Sequence, residues 1–207
     1  GQFGSMTGSE ATFGISTDRG IQLAFDEVNK SGGIHGKQLK LITLDNQGKA
    51  EEAAQVVTRL ITQDKVVAIL GEVASTRSIA ASPIAQQYKV PMITPCSSYP
   101  IVTEIGDYIF RVCFLDPFQG TSMARFSMEN LKLKKFAILR DVKSDYSMGL
   151  ADVFASKVKE MGGAIVTDVS YSNGDTNFKA QLTKIKASQP EGIFVPGYHT
   201  EVGLIAK

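Results

Sequence analysis

The sequence predicts an α/β protein built as two lobes of mostly parallel sheet. Three observations carry that prediction. Short β-favouring runs alternate with helical apolar stripes from end to end. Val66-Val67-Ala68-Ile69-Leu70 is continuously apolar, as a central strand covered on both faces would be. Glycine pairs fall where helices should stop, at Gly32-Gly33 and Gly162-Gly163, because glycine accepts positive φ.

In order, the strand-like runs are Gly1 to Gly4, Leu39 to Leu44, Val66 to Leu70, Val90 to Thr94 and Tyr108 to Val112. A second series follows: Phe136 to Leu139, Ala164 to Val169 and Gly192 to Val195. Helical stripes lie between them. Ile21, Ala24, Phe25 and Val28 fall at i, i+3, i+4 and i+7, which places them on one helix face. Ala53, Val56, Val57, Leu60 and Ile61 make a second stripe, Val153, Phe154, Val158 and Met161 a third, and Phe178, Leu182 and Ile185 a fourth. A seam near Phe114-Leu115-Asp116-Pro117 divides a first lobe, 1–115, from a second, 116–207. Three strands are thin for a sheet buried on both faces. The second lobe is therefore expected to be partial.

Composition narrows the function. The chain has 207 residues, 43% hydrophobic and 21% charged, with a net charge of +1. That balance gives no broad field for nucleic acid or anionic lipid, so neither is expected as a partner. The apolar runs are too short to span a membrane, and no signal-peptide pattern opens the chain. Two cysteines, Cys96 and Cys113, make no disulfide framework.

The enzyme motifs fail one by one. Gly36-Lys37 lacks the glycine a P-loop needs at position 31, where Ser31 stands, and the hydroxyl residue at position 38, where Gln38 stands. No GxGxxG follows a strand and no GxSxG elbow occurs. His35 and His199 are isolated, so neither a zinc site nor any other metal or cofactor is expected. The Lys132-Leu133-Lys134-Lys135 run reads as a solvated connection. No catalytic residue is assigned.

In an open parallel sheet, ligands bind beyond the carboxyl ends of the strands. Those ends are Ser5 to Phe13, Gly71 to Thr76 and Thr94 to Ser98 in the first lobe. In the second they are Asp141 to Tyr146, Tyr171 to Asp175 and Gly197 to His199. Hydroxyls, small residues and aromatics dominate, which suits a small zwitterion better than bond-breaking chemistry. Ser75 opens a helix running through Ile79, Ala80 and Ile84. It either caps that helix or helps the helix start hold a carboxylate.

The segments Gly4-Ser5-Met6-Thr7-Gly8, Phe13-Gly14 and Gly20-Ile21-Gln22-Leu23-Ala24 open a longer pattern with Gly32-Gly33-Ile34-His35-Gly36-Lys37. Pro91-Met92-Ile93-Thr94-Pro95, Phe110-Arg111, Asp145-Tyr146 and Gly197-Tyr198-His199-Thr200-Glu201-Val202-Gly203 continue it. Together they resemble the leucine/isoleucine/valine-binding proteins, type I periplasmic binding proteins of branched-chain amino acid ABC transporters. The resemblance implies two doubly wound parallel-sheet lobes joined by a hinge, with the hinge and second lobe incomplete in these residues. It implies that Ser75 holds a ligand carboxylate, that the Cys96 carbonyl accepts from the ligand ammonium, and that Ser98 touches the polar end. Phe13 would form a pocket wall, Val73 and Ala74 would line the same loop, and Tyr146 and Tyr198 would close from the second lobe. An acidic partner for the ammonium would lie beyond Lys207.

The function implied is an extracytoplasmic, periplasmic solute receptor, monomeric and not an enzyme, that delivers an amino acid to a membrane permease. The alternative is a sensing or regulatory ligand-binding domain of the same fold.

Overall fold

The computed structural model describes residues 1–207. They form two compact units, Gly1–Cys113 and Phe114–Lys207.

Unit 1 contains β1 (Gln2–Gly4), α1 (Ala11–Lys30), β2 (Thr43–Asp45), α2 (Ala50–Thr62), β3 (Ile69–Leu70), α3 (Ser75–Tyr88), β4 (Met92–Thr94), the short α4 (Ile101–Glu104) and β5 (Ile109–Arg111). All neighbouring strands pair in parallel, in the order β2-β1-β3-β4-β5. The chain steps outward from β1 to β2, then crosses back to β3. The sheet is therefore doubly wound, with its switch point between β1 and β3.

The core forms where α2 and α3 pack together over the sheet. Ala53, Val57, Leu60 and Ile61 of α2 meet Ala81 and Ala85 of α3 above Phe3, Ile69, Met92 and Ile109. The stripe expected on α2 is thus buried. The stripe expected on α1 is not: Ile21, Phe25 and Val28 are only half-buried, Ala24 is exposed, and Gly14 is the helix's one fully buried residue.

Two strand expectations need correction. Val66 to Leu70 is not one buried strand, since β3 is only Ile69–Leu70 and Val67 is 88% exposed. The chain is still turning out of α2 there: Lys65 has φ 53° and the Val66 N–H donates to the Leu60 carbonyl at 3.1 Å. Leu39 to Leu44 likewise shortens to Thr43–Asp45. The Asn29 side chain accepts from the Leu39 N–H at 2.7 Å and donates to its carbonyl at 2.9 Å, tying that backbone to α1 rather than to the sheet.

Unit 2 contains α5 (Asp116–Arg125), one π-helical turn (Phe126–Asn130), β6 (Lys135–Asp141), α6 (Asp145–Glu160), β7 (Ala164–Tyr171), α7 (Lys179–Ala187), β8 (Gly192–Phe194) and α8 (His199–Ile205). Its three strands are parallel in the order β7-β6-β8. Alternate side chains of a strand point to opposite faces, and β6 divides its residues accordingly. Phe136 and Ile138 join Ala124, Ala151, Phe154 and Val158 in one cluster. Ala137 and Leu139 join Tyr171, Phe178 and Ile185 in the other. Here the continuous apolar run does mark a strand covered on both faces.

Candidate functional site

In unit 1 the loops after β1, β2, β3 and β4 emerge at the carboxyl edge around the switch point. Two glycines let them converge. At Gly14 an added Cβ would lie 2.2 Å from the Ser5 carbonyl, so α1 can back onto the β1 loop only without a side chain. Gly71 has φ +123°, and a Cβ there would lie 2.1 Å from the Phe3 carbonyl.

Ser75 is buried as the first residue of α3. It is not the N-cap. Ala74 holds that position and makes no side-chain capping bond. The Ser75 hydroxyl instead accepts from the Tyr99 N–H at 3.2 Å, linking the β3 loop to the β4 loop. An acceptor role uses an oxygen lone pair and leaves the hydroxyl proton to donate elsewhere. Ser98 is buried on the β4 loop. Cys96 is exposed there, with its N–H donating to Thr94 Oγ1 at 3.3 Å. Desolvation by the surrounding loop still pushes its thiol up. Val73 is half-buried beside the buried Ala74, and Phe13 is half-buried in the first turns of α1.

Sequence reasoning missed what joins these loops. Glu72, the second residue beyond β3, is 2% exposed. Its Oε1 accepts from the Ser5 N–H at 3.1 Å and from Asn46 Nδ2 at 3.1 Å, and lies 2.8 Å from the Ser5 hydroxyl. The same oxygen accepts from Arg77 Nε at 3.0 Å, while Oε2 accepts from the Ala74 N–H at 2.6 Å. Arg77, also buried, reaches Glu10 with its other arm and the Gly48 carbonyl at 3.3 Å. The Glu72 carbonyl accepts from the Thr94 hydroxyl and lies 2.8 Å from the Ser97 hydroxyl and 3.2 Å from that of Ser78. Arg111, at the end of β5, fixes the far side of the β4 loop. It donates to the carbonyls of Ser97, Tyr99 and Pro100 at 2.8–2.9 Å. A charged residue one glycine beyond an apolar run, answered by an arginine five positions on, was the available signal.

In unit 2 the two tyrosines singled out from the sequence stand together. Tyr146 and Tyr198 stack with ring centroids 5.6 Å apart and planes 9° from parallel. Tyr146 lies in the first turn of α6, where the Ser144 hydroxyl accepts from the Ser147 N–H at 3.2 Å. Tyr198 directly precedes α8. Ser147 bridges their elements, because its hydroxyl donates to the Pro196 carbonyl and accepts from the Asp141 N–H at 2.9 Å. Gln119 Nε2 donates to the Tyr146 hydroxyl at 3.3 Å.

Asp141, whose N–H meets the Ser147 hydroxyl, is buried. Burial pushes its carboxyl up, against the opposing pull of the Lys143 and Asn173 N–H groups. Burial also pushes the Tyr171 phenol up, with the charges of Asp141 and Glu201 adding to it.

The loops after β1, β2, β3 and β4 offer hydroxyls, main-chain N–H groups and a helix start, and none of those four carries a histidine. No group of three or more His, Cys, Asp or Glu residues is placed to hold a metal ion. No helix is long and apolar enough to cross a membrane. Hydroxyl and main-chain N–H groups of this kind can hydrogen-bond a small polar ligand. Among known proteins, the Periplasmic binding protein family profile matches residues 1–207.

The chain belongs to the periplasmic binding protein family.

This periplasmic binding protein is 35% identical to an amino acid binding protein of Pseudomonas aeruginosa, over all of this chain and 55% of that one. Its fold is that of the leucine-binding protein LivK of Thermotoga maritima, with a TM-score of 0.93 and 40% identity over 99% of this chain and 57% of that one. It matches equally well the branched-chain amino acid transporter substrate-binding protein LivJ of Streptococcus pneumoniae, whose structure contains isoleucine. There the TM-score is 0.92, again at 40% identity, over 99% of this chain and 58% of that one. The chain thus spans a little over half the length of the relatives it matches.

Proposed function

We propose that this protein is an extracytoplasmic solute receptor of an ABC transporter and that its ligand is a free amino acid, branched-chain or of similar size. The observation that carries the reading is the convergence of the β1, β3 and β4 loops at the switch point, with Ser75 at the start of α3. A helix start presents N–H groups and positive dipole character to a carboxylate. The Ser75 hydroxyl adds a donor, the Cys96 carbonyl serves an ammonium, and Ser98 serves the polar end. Val73, Ala74 and Phe13 are the apolar surroundings for an aliphatic side chain; within unit 2, the stacked Tyr146–Tyr198 pair is a further candidate contact. Relatives named for amino acid, leucine and branched-chain binding support the ligand class.

Calorimetric titration of the full-length protein with the twenty amino acids, aromatic carboxylates and simple sugars tests the proposal. Saturable binding of leucine, isoleucine or valine is the expected result. Tight binding of a sugar with no response to any amino acid refutes it.

A further inference from the structure

We infer that Glu72 is the positioning residue of the binding site, setting the geometry of every unit 1 loop that carries a proposed ligand contact. The inference rests on the amino acid receptor reading, and goes beyond it by naming a buried residue whose carboxylate is taken up by protein donors.

The argument is one of connectivity. Through its carboxylate, Glu72 grips the β1 loop at Ser5, the β2 loop at Asn46 and its own loop at Ala74. Through its carbonyl it grips the β4 loop at Thr94 and Ser97. Arg77 extends the hold to Glu10, three residues before Phe13, and to Gly48. Phe13, Val73, Ala74, Ser75, Cys96 and Ser98 thus all sit within a few residues of an atom bonded to Glu72 or to its arginine partner.

A carboxylate is the side chain this position needs. Its two oxygens accept only, and here they meet donors from Ser5, Asn46, Ala74 and Arg77. Glutamine has nearly the same shape, but its amide NH2 would face one set of those donors, and Arg77 would lose one of two buried anions. Removing one member of a buried, satisfied network leaves its partners unpaired. The loops would then relax away from the spacing that a rigid small ligand requires.

The experiment compares Glu72→Gln, Arg77→Lys and the control Val57→Ala, whose side chain is buried in the middle of α2. All are full-length and measured equally far below their melting temperatures. Isothermal titration with L-leucine and L-isoleucine should show at least a tenfold loss for Glu72→Gln. Arg77→Lys, which keeps the charge but not the forked grip, should lose at least threefold. Val57→Ala should stay within twofold. In the ligand-free proteins, hydrogen exchange at residues 5–13, 73–75 and 96–98 should rise at least tenfold in Glu72→Gln, and in Val57→Ala only in step with global stability.

A loss below threefold in Glu72→Gln overturns the inference, as does an equal loss in the control. If Glu72→Gln does not fold, Arg77→Lys decides alone by the same threefold criterion. If the unsubstituted protein binds neither amino acid, the ligand reading fails, and the exchange comparison still decides the positioning role.

Discussion

Replacing Ser75 by alanine separates two roles that the structure gives to one hydroxyl. As an acceptor it satisfies the Tyr99 N–H at 3.2 Å. Loss of that acceptor leaves a partly buried donor without its partner, which costs about 1–3 kcal/mol of stability, with the lower end expected where water can reach it. As a donor, the same hydroxyl would bond a ligand carboxylate. Losing a hydrogen bond to a charged group costs about 1.5–3 kcal/mol, or roughly ten- to a hundredfold in affinity at about 1.4 kcal/mol per decade. The main chain at the start of α3 is untouched, so binding should weaken rather than vanish. Urea denaturation of Ser75→Ala reads the first effect, and calorimetry with L-leucine reads the second. A stability loss with unchanged affinity would leave Ser75 as a loop tie and move the carboxylate site elsewhere. Unchanged stability and affinity together would refute both halves of the reasoning.

Three further outcomes are expected. Phe154→Ala should cost about 3–5 kcal/mol by chemical denaturation, since that ring stacks on Phe194 at 4.0 Å and meets Phe136 edge-on at 5.4 Å. Gly14→Ala should destabilise by about 1–3 kcal/mol because the new Cβ overpacks against the Ser5 carbonyl, and its melting temperature should fall accordingly. Burial alone would raise Asp45, but hydrogen bonds from the Thr7 hydroxyl and the N–H groups of Gln47, Met6 and Thr7 outweigh it and hold the carboxyl below its usual value. That stabilisation is complete above the unfolded carboxylate range, near pH 4, and is lost as pH falls through the depressed folded value. The urea midpoint should therefore drop less on acidification in Asp45→Asn than in the unsubstituted protein, and equal drops would contradict the linkage.

How much of this was legible in advance follows from what each signal measures. Apolar periodicity reports burial, so it found α2 and β6, whose faces are covered, and half of the α6 stripe, where Phe154 and Val158 are buried but Val153 and Met161 only partly so. It erred at Val66 to Leu70, where apolar residues leave a helix before the strand begins, and Val67 ends up in solvent. It overstated α1, whose apolar stripe is regular but only half-covered. The proposed contact residues rest on the resemblance and on the rule about strand ends. Glu72 and Arg77 escaped both, because a charged residue in a loop is ordinarily solvated. Only the folded sheet shows these two turned inward with their partners. Ser75 was located correctly at a helix start, and of its two readings the cap is the one that fails, because the helix begins one residue earlier than the sequence pattern marks, with Ala74 in the cap position.

The bonded frame at the switch point also divides its residues into those that can change and those that cannot. Glu72, Arg77, Asn46 and Thr94 commit their side chains to holding the loops. Val73 and Cys96 enter the same set of bonds through main-chain atoms only, the Val73 carbonyl meeting the Ser97 hydroxyl at 3.2 Å and the Cys96 N–H meeting Thr94. Side chains at 73 and 96 are therefore free to vary in size and polarity while the backbone beneath them keeps its shape. If these loops hold the ligand as proposed, substitutions at 73 and 96 can alter what fits between them one at a time, without refolding the loops themselves.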